Sequence, residues 1–192
     1  MQVKLEKTHA IDAPATAAWG IMQDVNALAE CMPGASITEQ SEDGSYKGNV
    51  SVKVGPVQSV FRGTIRITEL DDANRTIALS AKGKDKTGTS NATMELTASV
   101  VDKDGACELI GNSEIKVLGK MANFGARMIN GVADQLIAQF LENFSNRVLA
   151  AGEGEAADEA AEKVAEQPKD LNALALIWSV LAGFFKRLFG GK

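Results

Sequence analysis

Side chains able to do acid–base or nucleophilic work are sparse in this sequence. The sole histidine, His9, stands in a run that alternates like a strand, where such a residue is most simply packed or half-exposed. Facing an interior space, its ring would offer one hydrogen bond to a ligand carbonyl. Cys31 and Cys107 lie far apart and show no metal-type spacing, so they read as buried free thiols. Glu95, Glu108 and Glu114 fall on strand positions expected to face solvent. No serine occupies a nucleophile elbow, no cluster of His, Cys and carboxylate has ligand spacing, and no glycine loop is shaped to cradle phosphate. The pattern argues against catalysis and against a metal site.

What would position these residues is a β-rich chain with helices at its edges. Val3, Leu5, Lys7, His9 and Ile11 alternate as a strand. Asp12-Ala13-Pro14 opens a short helix to about Met22, since proline tolerates the first helical position. A second helix covers about Val25 to Glu30 and ends at Cys31-Met32-Pro33-Gly34. From Ala35 to about Val117 the period is two, with turns at Glu42–Gly44, Gly55-Pro56, Asp71–Asn74, Asp85-Lys86 and Asp102–Gly105. That describes an antiparallel meander of about six strands. The period then changes: Phe124, Met128, Val132, Leu136, Phe140, Phe144 and Val148 recur at steps of four, predicting one amphipathic helix from about Lys120 to Leu149. A curved sheet with one apolar face is covered economically by one long helix.

Many inward strand positions are small, among them Gly48, Ser59, Gly63, Ala81, Gly111 and Ser113, and aromatic residues are only 5% of the chain. Such a sandwich either closes tightly or keeps a hollow. Gly125 and Gly131 in the long helix admit the same two explanations. Met22, Met32, Met94, Met121 and Met128 would supply an adaptable lining or ordinary core.

Of the net charge of −5, the stretch Glu153–Asp170 carries −5 and the C-terminal stretch +3, leaving residues 1–152 at −3. No basic patch is expected from those sums, so nucleic acid is not an expected partner. The opening MQVKLEKTHAIDAP has no apolar core and does not read as a signal peptide, so the protein is expected to be made in the cytoplasm and to stay there. Three segments follow: a domain over 1–150, a charged linker over 151–169 too poor in apolar residues to offset its ordering entropy, and an apolar helix over 170–192. The uncharged run Leu171–Phe185 would span roughly 22 Å as a helix, short of the ~30 Å hydrocarbon core. Leu174, Trp178, Leu181, Phe184 and Phe185 with Lys186 and Arg187 suit a helix lying in one leaflet with its cations among anionic headgroups. The protein is therefore expected to sit peripherally at the inner face of the cell membrane.

Several stretches resemble one family. Ala13-Pro14 with Trp19, DVNALAECMPG over Asp24–Gly34, Tyr46-Lys47-Gly48, Val52–Pro56, Phe61-Arg62-Gly63, Gly119, Gln139-Phe140 and Asn143-Phe144 are similar to the family of the G subunit of carbon monoxide dehydrogenase, over about Val3 to Leu149. The resemblance implies an α+β helix-grip (START-like) fold, a curved antiparallel sheet of about seven strands wrapped on a long C-terminal helix. It also implies an accessory, non-catalytic role beside a cytoplasmic carbon monoxide dehydrogenase of the molybdenum hydroxylase type, or a related molybdenum enzyme. Such an enzyme must pass electrons to a quinone dissolved in the bilayer. The expectation is a carrier of isoprenoid quinone, menaquinone or ubiquinone, which also tethers the enzyme to membrane lipid. Leu28 and Met32 at the rim, Phe61 and Ile65 from the sheet, and Phe124, Met128 and Val132 from the helix are the expected ligand contacts. A recruitment or assembly adaptor without ligand and a cyclase-like enzyme of the same fold are the alternatives.

Overall fold

The computed structural model describes residues 1–152 and 155–167. Its elements run β1 (Gln2–Ile11), α1 (Ala15–Met22), α2 (Val25–Cys31), β2 (Ala35–Gln40), β3 (Tyr46–Val54), β4 (Val57–Asp71), β5 (Thr76–Asp85), β6 (Ser90–Lys103) and β7 (Ala106–Gly119). A 3-10 turn (Lys120–Phe124), α3 (Ala126–Ala150) and α4 (Glu155–Glu166) follow. The strands form one antiparallel sheet in the order β1-β7-β6-β5-β4-β3-β2, so the first strand pairs with the last. The fold is α+β, a seven-stranded curved sheet closed by a long C-terminal helix, as the sequence implies.

Local chemistry sets the short elements. Pro14 is extended at φ −60° and ψ 143° and feeds directly into α1. Asp24 caps α2, accepting from the Asn26 and Ala27 amides at 2.8 and 3.2 Å. Asn143 on α3 donates to the Cys31 carbonyl at 2.9 Å, and Arg147 pairs with Glu30, so the end of α2 is wired to the long helix.

Three expectations need correction, two concerning helices and one concerning charge. The helix predicted over 120–149 is broken. Gly125 stands at φ +81°, where a side chain is strained, and divides the 3-10 turn from α3. The four-residue step from Phe124 to Met128 runs straight across this break, so periodicity alone does not see it. The supposed linker also contains a helix. Ala157 and Ala160 of α4 are buried, and α4 lies alongside α3. Their small side chains permit the close approach that the low hydrophobicity of the segment concealed. The apolar segment with Leu174, Trp178, Leu181, Phe184, Phe185, Lys186 and Arg187 lies outside the described residues. Among those described, no helix is long and apolar enough to cross a membrane.

The interior is packed as two separate clusters. One joins Ile11, Ile77, Leu79, Ala98, Val100, Cys107 and Leu109 of the sheet to α1, α2 and the distal part of α3 through Phe144 and Val148. Phe140 and Phe144 stack there with ring centroids 5.8 Å apart. The other, at the opposite end, joins Val3, Leu5, Val54, Phe61 and Val117 to Met121, Ile129 and Ala133.

The glycines divide by what surrounds them. Gly48, Gly63 and Gly83 are register partners in adjacent strands. A Cβ on Gly63 would stand 2.0 Å from the Lys82 carbonyl oxygen, and one on Gly48 would stand 2.5 Å from that of Ser36. These two permit neighbouring backbones to close up in a strongly bent sheet, and do not make room for a ligand. Gly111 is different: a Cβ there would meet nothing within 4 Å. Gly131 also has open surroundings, but it is exposed on the solvent side of α3, so neither packing nor a ligand explains it.

The domain's modest net charge also conceals a segregation, contrary to the expectation of no basic patch. Lys53, Arg62, Lys82, Lys84, Lys86, Lys120 and Arg127, all exposed, gather at the end of the sheet bearing the β3–β4 and β5–β6 turns. Asp12, Asp24, Asp71, Asp72, Asp102 and Asp104 gather at the other end.

The two glycine environments predict opposite mutational outcomes. Gly111→Ala should be neutral or raise stability by about 0.5–1 kcal/mol, because it restricts the unfolded chain and meets no clash. Gly63→Ala should cost more than about 2 kcal/mol, since the carbonyl it strikes is backbone. Urea unfolding of the two variants beside the parent checks both.

Candidate ligand-binding space

The inner face of the sheet is read from the strand register. Tyr46, Ile65, Ala81, Met94, Ile115 and Val3 form one row across β3-β4-β5-β6-β7-β1. Ile67, Leu79, Leu96, Ser113 and Leu5 form the next. Then come Ile77, Ala98, Gly111 and Lys7. Side chains two apart on a strand share a face, so these rows look toward α3.

Over the middle of this face the two clusters do not meet. Ile65, Ala81 and Met94 on the sheet and Leu136 at the centre of α3 are only half-buried and belong to neither. Met32, closing α2, is likewise half-buried and in neither. The close backbone approaches of α3 are to α4, α2, β1, α1, β3 and the 3-10 turn. Gly111, on the inner face between Ala98 and Lys7, has open surroundings, with nothing within 4 Å of where a Cβ would stand. The candidate ligand space is this uncovered apolar stretch between the middle of the sheet and the middle of α3, flanked at each end by packed core.

The expected contacts are distributed unevenly around it. Phe61, Phe124 and Val132 come together within the cluster at the β3–β4 end and form that end of the space. Leu28 packs against the opposite cluster. Ile65 and Met32 stand between the two. Met128 is not a wall: it is 42% exposed, and its sulfur lies 3.4 Å from where a Cβ on Gly55 would stand, over the β3–β4 turn. Leu136 and Met94 face the space and were not among the expected contacts. The signal for them is the cross-strand register, which periodicity within single segments does not supply.

His9 and Lys7, on the inner face of β1, are already partnered. His9 turns inward as the alternation requires, but its Nε2 lies 2.8 Å from Ser145 Oγ on α3. The ligand hydrogen bond considered from sequence would have to displace that partner. Lys7, also on the inner face of edge strand β1, reaches Asp134 of α3 at 2.9 Å. The two contacts fasten β1 to the helix along one side. Glu108 and Glu114 pair with Lys103, Lys4 and Lys116 on the outer face, as their strand parity implies. Among the described residues no group of three or more His, Cys, Asp or Glu is placed to hold a metal ion. Cys31 and Cys107 are both buried and free. Burial pushes the Cys31 thiol up to about 11, with Arg147 opposing and Glu30 adding to the shift. Burial also raises Cys107.

Residues 8–149 match the family model of CoxG, the G subunit of carbon monoxide dehydrogenase. The chain belongs to the CoxG family. No curated protein sequence matches the chain. Among solved structures it is similar to a conserved protein from Geobacillus kaustophilus, with TM-score 0.69 and 21% identity over 79% of this chain and 98% of that one. It is also similar to the Zhui aromatase/cyclase from Streptomyces sp. R1128, with TM-score 0.56 and 19% identity over 80% and 100% of the two chains. A START superfamily protein from Mycobacterium smegmatis aligns with TM-score 0.53 and 17% identity over 78% and 99%. At these identities the likenesses establish the fold.

The residues that carry the CoxG resemblance are structural. Cys31 offers its carbonyl to Asn143, Phe144 is fully buried, Gly34 and Gly55 take positive φ, and Gly63 permits close backbone approach. They build the frame around the space more than they line it.

The raised thiols predict slow chemistry. In the folded protein Cys31 and Cys107 should react with a disulfide reagent far more slowly at pH 8 than after denaturation, because the thiolate is the attacking form. Rapid titration of either thiol in the native state would show that the ends of the core open freely.

Proposed function

We propose that this protein is a non-catalytic accessory subunit that holds an isoprenoid quinone between sheet and α3. In this reading it carries the quinone between the membrane and a carbon monoxide dehydrogenase of the molybdenum hydroxylase type, or a related molybdenum enzyme, and tethers that enzyme to the bilayer. The observations that support it most directly are the half-buried apolar Ile65, Ala81, Met94 and Leu136 that neither core cluster covers, and Gly111 two rows away, where a Cβ would meet nothing within 4 Å. A flexible prenyl chain needs apolar walls and little else, and methionine and leucine adapt to it. The family supplies the enzyme with which such a carrier would work.

The non-catalytic part rests on the chemistry at hand. The one histidine is held by Ser145, and the thiols are buried and reluctant to ionise. A cyclase would need an acid–base pair facing the space, and the paired Lys7 and Asp134 stand at its edge.

Native mass spectrometry of the full chain, purified without detergent from cells that make quinone, is expected to show a quinone bound one to one. Gly111→Phe should fold and lose that ligand, because the ring projects into the space the prenyl chain would fill. An empty parent protein that still binds the dehydrogenase would establish a recruitment or assembly adaptor instead. Retention of quinone by Gly111→Phe would place the ligand elsewhere.

The anchoring part rests on the sequence of the C-terminal segment. Removing residues from Asp170 onward should abolish co-sedimentation with neutral phosphatidylcholine vesicles while leaving the thermal transition of the domain in place. Unchanged sedimentation would show that the segment is not the anchor.

A further inference from the structure

Among the described residues, five large apolar side chains are strongly exposed: Val57, Leu70, Val101, Leu118 and Met128. Three of them stand at the basic end. Val57 follows the β3–β4 turn, Met128 lies over Gly55 of the same turn, and Leu118 closes β7 on the outer face with 59% exposure. Around them are Lys53, Arg62, Lys82, Lys84, Lys86, Lys120 and Arg127. None of the seven has an ion-pair partner within 4 Å among the described residues. Asp85, which ends β5 between Lys84 and Lys86, is buried and turned inward. It accepts from Thr87 Oγ1 at 2.6 Å, Thr89 Oγ1 at 3.1 Å and the Ser90 amide at 2.9 Å. Those hydrogen bonds hold its carboxyl below the usual carboxylate range, and they fix the β5–β6 turn that displays Lys84 and Lys86. Ser90 in turn accepts from the Met121 amide at 3.1 Å, which ties this turn to the start of the helical region.

On the adjoining outer face the register sets Arg62, Lys84, Asn91 and Leu118 in one row and Lys82 and Thr93 in the next. The five polar residues of these rows, together with Gly83 and Ala92, line a shallow depression of about 340 Å³. It is bordered by three cations.

We propose that this end of the domain is a second membrane-contacting surface, which docks on an anionic phospholipid bilayer. The cations would meet lipid phosphates, with the depression receiving headgroups, and Val57, Leu118 and Met128 would enter the interface. The composition favours lipid over an acidic protein. Five of the seven cations are lysine, a residue depleted from protein interfaces, and aromatic anchors are missing from the patch among the described residues. Long lysine stems that bury carbon while keeping the ammonium in water suit a headgroup layer. The acidic opposite end would be repelled, so the charge segregation also orients the domain. This surface is distinct from the C-terminal segment proposed as anchor and from the ligand space, and stands if either proves inert.

The test uses the full chain, so any tail contribution is common to all variants. Binding should be measured to vesicles of phosphatidylcholine alone and of phosphatidylcholine mixed with phosphatidylglycerol. The variant Lys82→Gln/Lys84→Gln/Lys86→Gln should lose affinity for the anionic vesicles by on the order of a hundredfold and keep its affinity for neutral ones. Arg75→Gln/Lys103→Gln, at the other end, should bind as the parent does. A polarity-sensitive fluorophore on Leu118→Cys should shift to the blue with anionic vesicles, and the same label on Val101→Cys should not. Unchanged binding by the triple-lysine variant, or a shift at Val101 without one at Leu118, would overturn the proposal. So would loss of dehydrogenase binding by that variant with anionic-vesicle binding intact, which would assign the patch to an acidic protein.

Discussion

The rest of the structure depends on one division: α3 is held by two separate core clusters, one reaching Ile137 and the other starting at Phe140. Phe144 and Val148 fix the helix to α1, α2 and the far strands, and Ile129 and Ala133 fix it to β1, β3 and β4. A rod held at two points can bridge what lies between. Unfilled interior costs roughly 2.4 kcal/mol for each hundred cubic ångströms of cavity left by deleted side chains. In the proposed carrier, two solid clusters would let the domain bear that cost, and a guest filling the space would offset it through binding linkage.

The polar contacts reinforce this arrangement. His9 to Ser145, Lys7 to Asp134 and Asn143 to the Cys31 carbonyl all run from α3 to its surroundings. They fix the helix along its flanks without filling the centre. An entirely apolar attachment would draw the helix down onto the sheet wherever side chains were small. A hydrogen bond at a set distance does not reward collapse, because shortening it gains nothing. The helix is thus positioned as much by its polar edges as by its apolar face.

How much of this is legible in sequence follows from the range of each signal. Alternation and turn residues give all seven strands and their antiparallel order, since both act over a few residues. The long helix over the sheet follows from burial, whereas the pairing of β1 with β7 joins strands roughly a hundred residues apart and shows in no local pattern. Glycine is harder. Gly63 and Gly111 look alike in a strand pattern, yet one sits against a carbonyl oxygen and the other beside open space. Only the curvature of the sheet distinguishes them. The same limit hides Met94 and Leu136, whose shared setting comes from the register of several strands and the placing of α3. It also hides Gly125, where a break in the helix preserves the four-residue spacing across it.

Charge shows the limit most clearly. Lys53, Lys84 and Lys120 are separated by at least thirty positions in the chain, with acids between them, and a sum over the domain returns a small negative number. Antiparallel pairing reverses direction at each turn, so residues near every second turn gather at one end. Cations beside the β3–β4, β5–β6 and β7–α3 connections therefore meet, as do acids beside β4–β5 and β6–β7. The meander turns a sequence of mixed sign into a dipole. A family frame that fixes the turns consequently fixes which end of the domain can approach a negatively charged surface, whatever the net charge.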